Sequence, residues 1–344
     1  MICLSVCLSV CLRSTGRATF LILSLLTTTF LSSNGQEAKN CEDIPTFIGI
    51  PEETLCEQYG GGVYDLTLNS PTLNSASKLL AFLSGNTASG KIYIADDFYV
   101  DIDFHFDNCT LEIAPGKQIF VTGGPAPLMS GQYYGDGAKL YIKNSKVFAC
   151  GELWKGIRLV KTGSQANITN SEVEDAEIGI DAPVSSAIGL KNAIFNRNRI
   201  GVSLGREAGS ITLDNAPAFS TFSGNLFSCT APLNGTTDEI SQAGIRILRC
   251  PAAIHSEAVS KFTDSRFGIQ VPGYNDYITT LSISNCDFEE VGQYGVNVVR
   301  GALTVKFCLF KNWGDRGIYA QCIYYMIIYS EAGVIASEKL VIHR

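Results

Sequence analysis

The stretch Val100–Asp107 is the part of this sequence whose residue types and spacing could do chemistry. Polar and apolar residues alternate strictly in it, so a β-strand would place every polar side chain on one face. Next-but-one side chains on a strand lie about 6.5–7 Å apart, which suits the two carboxylates of an inverting glycoside hydrolase. With loop oxygens, the same carboxylates could bind Ca²⁺. The predicted residues are Asp101, Asp103 and His105 as catalytic groups and Asp107 as a ligand-binding group.

A solvated strand face is the alternative reading of this stretch, because charged side chains are usually exposed. Three further residues are predicted to bind ligand: Trp154, Arg197 and Arg199. The two arginines would share an outward strand face, where they could bind carboxylates or act as a lyase base. Trp154 could stack on a sugar ring, or it could close the end of a structural coil. Exposed polar strand positions explain the arginines equally well.

The composition argues against two classes of partner. The formal charge is −7 and no run of Lys or Arg is present, whereas nucleic-acid binding needs a basic surface. The sequence has no Cys-x-x-Cys pair and no Cys/His cluster, so a zinc site is not expected. No cofactor is predicted with the exception of Ca²⁺, whose binding the sequence allows.

Residues 1–35 predict a secretory signal. Arg13 and Arg17 precede an apolar run at 18–31, and small and polar residues follow at 32–35. The run is shorter than the about 20 residues that span a bilayer, although an uncleaved anchor is the alternative. We therefore expect a secreted protein, extracellular or on the outer cell surface, without a stable membrane span.

Nine cysteines follow the predicted signal, so at least one thiol is unpaired. Disulfides are expected in an oxidising location. Two local bridges around loops are plausible, Cys41–Cys56 and Cys229–Cys250.

An internal repeat of about 22 residues determines the predicted fold. Each copy has a short alternating strand, an Asn with a small residue, and a second strand that begins at a glycine. Gly156, Gly179 and Gly201 are 23 and 22 residues apart, and Gly295 and Gly317 are again 22 apart. One coil cannot bury its apolar face alone, whereas stacked coils share a core. The prediction is an all-β right-handed parallel β-helix with coils of about 22–27 residues and an N-terminal cap.

Stacking of the coils gives structural roles to the repeated residues. Equivalent asparagines could form an inward ladder of side-chain amides between coils. The position after each asparagine takes only small residues, so Cys286 and Cys308 are expected to be buried thiols. The repeat glycines are expected to supply special backbone angles at corners. The asparagines of the ladder are Asn144, Asn170, Asn192 and Asn285.

Three segments of the repeat, 106–121, 150–157 and 171–180, resemble the pectin-lyase-like right-handed β-helix family. More narrowly, the likeness is to secreted β-helix repeat proteins of bacteria that export through type IX secretion. The resemblance runs from about residue 91 to 318, and it implies export and a site on an outward strand face with its loops. The Gly-His-Gly of the polygalacturonase-like pattern is missing.

The predicted organisation is a signal at 1–35, a cap at 36–90 with one helix near 75–83, the β-helix at 91–320 and an irregular or truncated tail at 321–344. The leading function is a non-catalytic exported protein that presents a long face to polysaccharides or cell-surface glycans. One alternative is a polysaccharide lyase or glycoside hydrolase acting on acidic polysaccharide. Another is a structural spacer of a larger exported protein. An acidic cluster converging across adjacent coils would favour the enzyme.

Overall fold

The computed structural model describes residues 53–124, 137–183, 185–207, 216–274, 276–330 and 333–338, and the predicted signal lies outside them. Two short helices, α1 (Leu55–Tyr59) and α2 (Ala76–Leu83), belong to the N-terminal part. The predicted helix is α2, whose first turn is capped by the side chain of Ser75. The strands are β1 Leu66–Leu68, β2 Thr87–Ile94, β3 Phe98–Val100, β4 Phe104–Ile113, β5 Gln118–Val121, β6 Lys139–Lys143, β7 Lys146–Phe148, β8 Gly156–Leu159, β9 Gln165–Thr169, β10 Glu172–Glu174, β11 Ile178–Ala182, β12 Ala187–Lys191, β13 Ile194–Asn196, β14 Ile200–Gly205, β15 Ala218–Ser223, β16 Leu226–Ser228, β17 Ala243–Leu248, β18 Ala252–Phe262, β19 Phe267–Val271, β20 Thr279–Glu289, β21 Tyr294–Lys306, β22 Leu309–Lys311, β23 Arg316–Ser330 and β24 Gly333–Glu338.

The strands stack in three parallel ladders around one apolar core. Three consecutive strands make one coil, and each strand pairs in parallel with its counterpart one coil later. Ladder 1 runs through the start of β4, then β6, β9, β12 and β15, then the starts of β18 and β20 and the end of β21. Ladder 2 runs through the end of β4, then β7, β10, β13 and β16, then the ends of β18 and β20, and β22. Ladder 3 runs through β3, β5, β8, β11, β14, β17 and β19, then the starts of β21 and β23. The predicted fold, a right-handed parallel β-helix, is confirmed.

Strand pairing extends past the predicted limits of the β-helix. At the start, β1 pairs in parallel with β2, within the segment predicted as a cap. At the end, β23 pairs in parallel with β21, and β24 folds back on β23 as an antiparallel strand. The first part of the predicted tail is therefore in a strand.

Phenylalanine rings stack along the core on ladder 2. Phe195, Phe227, Phe262 and Phe288 lie nearly parallel, with successive ring centroids 5.1, 4.7 and 4.9 Å apart. All four are buried. These rings fill the space beside the repeat glycines of ladder 3, which explains why a glycine recurs there.

The repeat glycines make room for the rings, which differs from the predicted role at corners. A β-carbon added to Gly201 would lie 2.8 Å from Cδ1 of Phe227 and 2.5 Å from the carbonyl oxygen of Gly244. Gly179 and Gly268 are crowded in the same way. Of the glycines at 156, 179, 201 and 268, only Gly156 has a positive φ, of 97°. Close packing of ring against backbone therefore requires most of the glycines.

Gly201→Ala is expected to lower the free energy of unfolding by about 2–3 kcal/mol, because the added methyl group meets a carbonyl and a packed ring. Equilibrium denaturation of the purified variant measures the change. Gly85→Ala is the matched control, since a β-carbon there has no atom within 4 Å. Equal stability of the Gly201 variant and the wild type would contradict this packing role.

Three of the four predicted asparagines form a ladder, but it faces outward, so the predicted inward direction is wrong. The fourth, Asn285, donates from Nδ2 to the carbonyl oxygens of Ser256 and Glu257 instead. Nδ2 of Asn170 donates to Oδ1 of Asn144 at 3.3 Å, and Nδ2 of Asn192 donates to Oδ1 of Asn170 at 3.0 Å. The three residues have φ of 48°, 48° and 50°, the left-handed region that asparagine tolerates. This turn directs each asparagine to the surface and the next side chain into the core.

The residue after each asparagine is buried, as predicted, and it makes the inward hydrogen bonds. The backbone N–H of Ser145 donates to Oγ of Ser171 at 3.0 Å, and that of Cys109 donates to Oγ of Ser145 at 2.9 Å. In a later coil, the N–H of Ala193 donates to Oδ1 of Asn225 at 3.0 Å. Buried side-chain oxygens therefore pair the N–H groups of the turn between ladders 1 and 2.

The cysteine pairing differs from the local bridges predicted. A disulfide joins Cys56 to Cys150, 94 residues apart, and Cys41 lies outside the described residues. Cys229 and Cys250 are buried free thiols, so the bridge predicted between them is wrong. Cys286 is a buried free thiol, as expected, whereas the free thiol Cys308 is only half-buried.

Two buried carboxylates hold in place the segment that carries Cys56, and this brings Cys56 to Cys150. The N–H of Leu55 donates to Oε2 of Glu174 at 2.8 Å, and the N–H of Gly61 donates to Oε2 of Glu112 at 2.9 Å. These two bonds fix the segment Thr54–Gly61 across ladder 2. We call this segment the clamp; it carries Cys56 to Cys150, just past the end of β7.

Candidate functional site

The stretch predicted as one catalytic strand is broken by a bend. Strand β3 ends at Val100 and β4 begins at Phe104, so Asp101 lies between strands. Its side chain is buried, and its carboxylate accepts hydrogen bonds from N–H and Oγ of Ser77 at 2.8 and 2.5 Å. Asp101 therefore holds the first turn of α2 and is separated from the other three predicted residues.

The remaining three residues lie on the outward side of ladder 1. Oδ1 of Asp103 accepts from the N–H of Lys139 at 2.8 Å. The ring of His105 stacks on Tyr141 with centroids 4.3 Å apart. Oδ1 of Asp107 accepts from Nδ2 of Asn144 at 3.2 Å and so ends the asparagine ladder. His105 and Asp107 line one groove of about 290 Å³, and a catalytic role for this group stays a prediction.

Trp154 has no exposed surface, so the structure places it in the core and not at a sugar-binding surface. Its Nε1–H donates to the carbonyl of Glu174 at 2.7 Å. The ring packs within the apolar core.

The two predicted arginines do not share a face. Arg197 is buried and pairs with Asp175 at 2.5 Å, whereas Arg199 is exposed and lies 3.5 Å from Glu239. Arg197 has a φ of 53°, a left-handed turn that directs its side chain inward. Burial raises the pKa of Asp175 to about 7, although Arg197 opposes the shift. A structural role for Arg197 follows from this burial.

A continuous row of polar side chains on ladder 3 was not singled out by the sequence. Its members lie between two core residues of each strand and are paired directly from coil to coil. We call this set the polar row: Arg158, Asp181, Ser203, Arg246, Gln270 and Asn297. Each member stands two residues after a repeat glycine, which is the signal in the sequence that could have identified it.

Four consecutive members of the row have buried polar atoms that find no hydrogen-bond partner among the described residues: Oγ of Ser203, Nε of Arg246, Oε1 of Gln270 and Oδ1 of Asn297. Such groups are uncommon because each costs about 1–3 kcal/mol. Their recurrence at one position in four coils makes this face the candidate functional site.

Opposite charges occupy the first coils of the row. Nε of Arg158 lies 3.6 Å from Oδ2 of Asp181, and the Arg158 side chain is 47% exposed. Burial raises the pKa of Asp181, while Arg158 and Arg246 lower it. The row therefore offers guanidinium groups, a carboxylate and amides at the spacing between strands, about 4.8 Å.

Aromatic rings continue the row at both ends. Tyr99 and Phe120 precede Arg158 in the same register and stack with centroids 5.3 Å apart. Tyr319 follows Asn297 and lies 4.9 Å from Tyr294.

Ser203 stands in a Gly-x-Ser-x-Gly sequence, 201–205, but not in the context of a nucleophile. That motif needs a sharp turn from a strand into a helix, whereas these residues lie inside β14. Both histidines in the described part of the chain, His105 and His255, lie on β4 and β18 and not on ladder 3. Ser203 is therefore a polar member of the row inside a strand, with no histidine beside it among the described residues.

Comparisons of the chain with protein families, characterised proteins and solved structures find no match. Among the described residues, no group of three or more His, Cys, Asp or Glu side chains is placed to hold a metal ion, and Ca²⁺ binding stays a prediction. Within the same part of the chain, no helix has the length and apolar character needed to cross a bilayer.

Proposed function

We propose that this chain is an exported β-helix protein that binds an extended glycan along ladder 3, with the sugar chain running across the coils. The observation that carries the proposal is the polar row and its four unpartnered polar atoms. A face that repeats along a solenoid suits a ligand that also repeats.

Sugar hydroxyls suit the row because each hydroxyl can both donate and accept a hydrogen bond. The half-buried side chains of Arg246 and Gln270 and the amide of Asn297 carry the donors and acceptors for such hydroxyls, whereas Ser203 is buried. Tyr99 and Tyr319, at the two ends, provide rings on which sugars can stack. The site is thus a set of polar contacts between aromatic ends.

The predicted signal and the repeat both support an extracellular location. The resemblance to pectin-lyase-like β-helices, and to proteins exported by type IX secretion, fits a protein that meets polysaccharides outside the cell. The His105–Asp107 groove on ladder 1 belongs to the alternative in which the protein cleaves polysaccharide.

A panel of neutral and acidic polysaccharides, assayed for binding and for new reducing or unsaturated ends with and without Ca²⁺, tests the proposal. We expect binding with a Kd in the micromolar range and no cleavage. Cleavage that is lost in Asp103→Ala or His105→Ala would instead establish the enzyme. Folded protein that binds no member of the panel would contradict the proposal and favour a structural spacer.

A further inference from the structure

A cationic corner lies beside the polar row at the end of β17. Arg249 follows this strand directly, and its guanidinium carbon lies 4.3 Å from the centroid of the Tyr274 ring. Nη1 of Arg249 lies 2.5 Å from Oδ2 of Asp276. The Arg249 side chain is 17% exposed, whereas that of Asp276 is 65% exposed. The guanidinium is therefore held in place, while its partner carboxylate is largely in solvent.

Arg246 of the polar row belongs to the same corner. Arg246 lies in β17, three residues before Arg249. Burial and Glu207 raise the pKa of Tyr274, and both Arg249 and Arg246 lower it. Nε of each arginine is buried and has no hydrogen-bond partner among the described residues. The Arg249 guanidinium is thus fixed against Tyr274, with a second arginine nearby in β17.

We propose that Arg249 and Tyr274, with Arg246 nearby, form a subsite for an anionic group of the bound glycan, a carboxylate or a sulfate. Asp276 is ion-paired with Arg249 in the free protein, and the anionic group displaces it on binding. This inference rests on the proposed glycan binding and adds the anionic selectivity of one position. The carboxylate of Asp276 stands in for the ligand's anion: it makes the charged hydrogen bond that the anion would make.

Displacement is favourable for two physical reasons. Exposed ion pairs are weak, so Asp276 loses little when it moves into solvent. Arg249 is already ordered by Tyr274, so the incoming anion does not have to immobilise the guanidinium.

Removal of the competing charge should therefore strengthen binding of anionic ligands. We expect Asp276→Asn to bind an oligouronide about fivefold more tightly than the wild type, and Arg249→Gln to bind it about tenfold more weakly. A neutral oligosaccharide of the same length should bind all three proteins equally. Glu239→Gln is the matched control, because it removes an exposed carboxylate from an arginine pair that does not involve the row.

Calorimetric titration with an oligouronide, a sulfated oligosaccharide and a neutral oligosaccharide distinguishes the outcomes. A gain confined to the oligouronide identifies a carboxylate subsite, and a gain for both charged ligands identifies a general anion subsite. Unchanged or weaker binding by Asp276→Asn, or an equal gain for the neutral sugar, would overturn the inference and leave the glycan proposal standing. If neither the wild type nor Asp276→Asn binds any of the three oligosaccharides, both proposals fail.

Discussion

Arg197→Ala is expected to lower the free energy of unfolding by about 3–5 kcal/mol, because it leaves a buried carboxylate without its positive partner. The side chains of Arg197 and Asp175 are 5% and 0% exposed. Arg197 also donates to Oδ1 of Asn234, so the variant loses a contact to the 229–241 loop as well. Chemical denaturation above pH 7 measures the loss.

The loss should increase as the pH rises through 7. Asp175 has a pKa of about 7 with Arg197 present, and the pKa rises further without it. Below 7 the carboxyl is protonated in both proteins and needs no partner, so the variant is then closer to the wild type.

Two controls separate charge burial from loss of side-chain volume. Arg199→Ala removes the exposed neighbour, whose pair with Glu239 is worth at most about 1 kcal/mol. Asp175→Asn in the Arg197→Ala background should recover part of the stability, because it removes the unpaired charge. An Arg197→Ala loss no larger than that of Arg199→Ala would contradict the buried-pair account.

Replacing both Cys56 and Cys150 with serine is expected to cost about 3–4 kcal/mol, since the disulfide closes a loop of 94 residues in the unfolded chain. The clamp should also exchange its amide hydrogens faster, because it loses its covalent attachment to the β-helix. Thermal unfolding and hydrogen exchange measure the two effects.

Cys308→Ser is the matched control for the disulfide. Cys308 is a free thiol at the repeat position where Ser145 and Ser171 stand in other coils, so serine fits there. We expect a change of less than about 1 kcal/mol. If the control lost as much stability as the double variant, the effect could not be attributed to the disulfide.

The fold could be predicted from the sequence because stacked coils impose a period on the chain. Residues 22 or 23 positions apart in the sequence are partners in neighbouring parallel strands, as Asp181 and Ser203 are. The direction of the asparagines could not be read in the same way. A single left-handed residue at Asn170 exchanges the inward and outward positions, and alternation alone does not reveal it.

The candidate site was harder to predict because its members lie in different coils. Arg158, Asp181 and Ser203 are more than 20 residues apart and resemble ordinary exposed strand positions. The local pattern around Asp101 attracted attention instead, but a bend after Val100 and the capping of α2 remove this residue from the strand face. The disulfide was missed for a related reason: a carboxylate in β10, Glu174, anchors the clamp that carries Cys56.

The most direct test of glycan binding along ladder 3 is a calorimetric titration of Gln270→Ala/Asn297→Ala with the best ligand of the panel. The matched control, Ser282→Ala/Thr304→Ala, removes two half-buried polar side chains from the same two coils on ladder 1. Loss of two hydrogen bonds should weaken binding by the row variant about 10- to 30-fold, with the control unchanged. Wild-type affinity in the row variant, with both proteins folded, would contradict binding at the polar row.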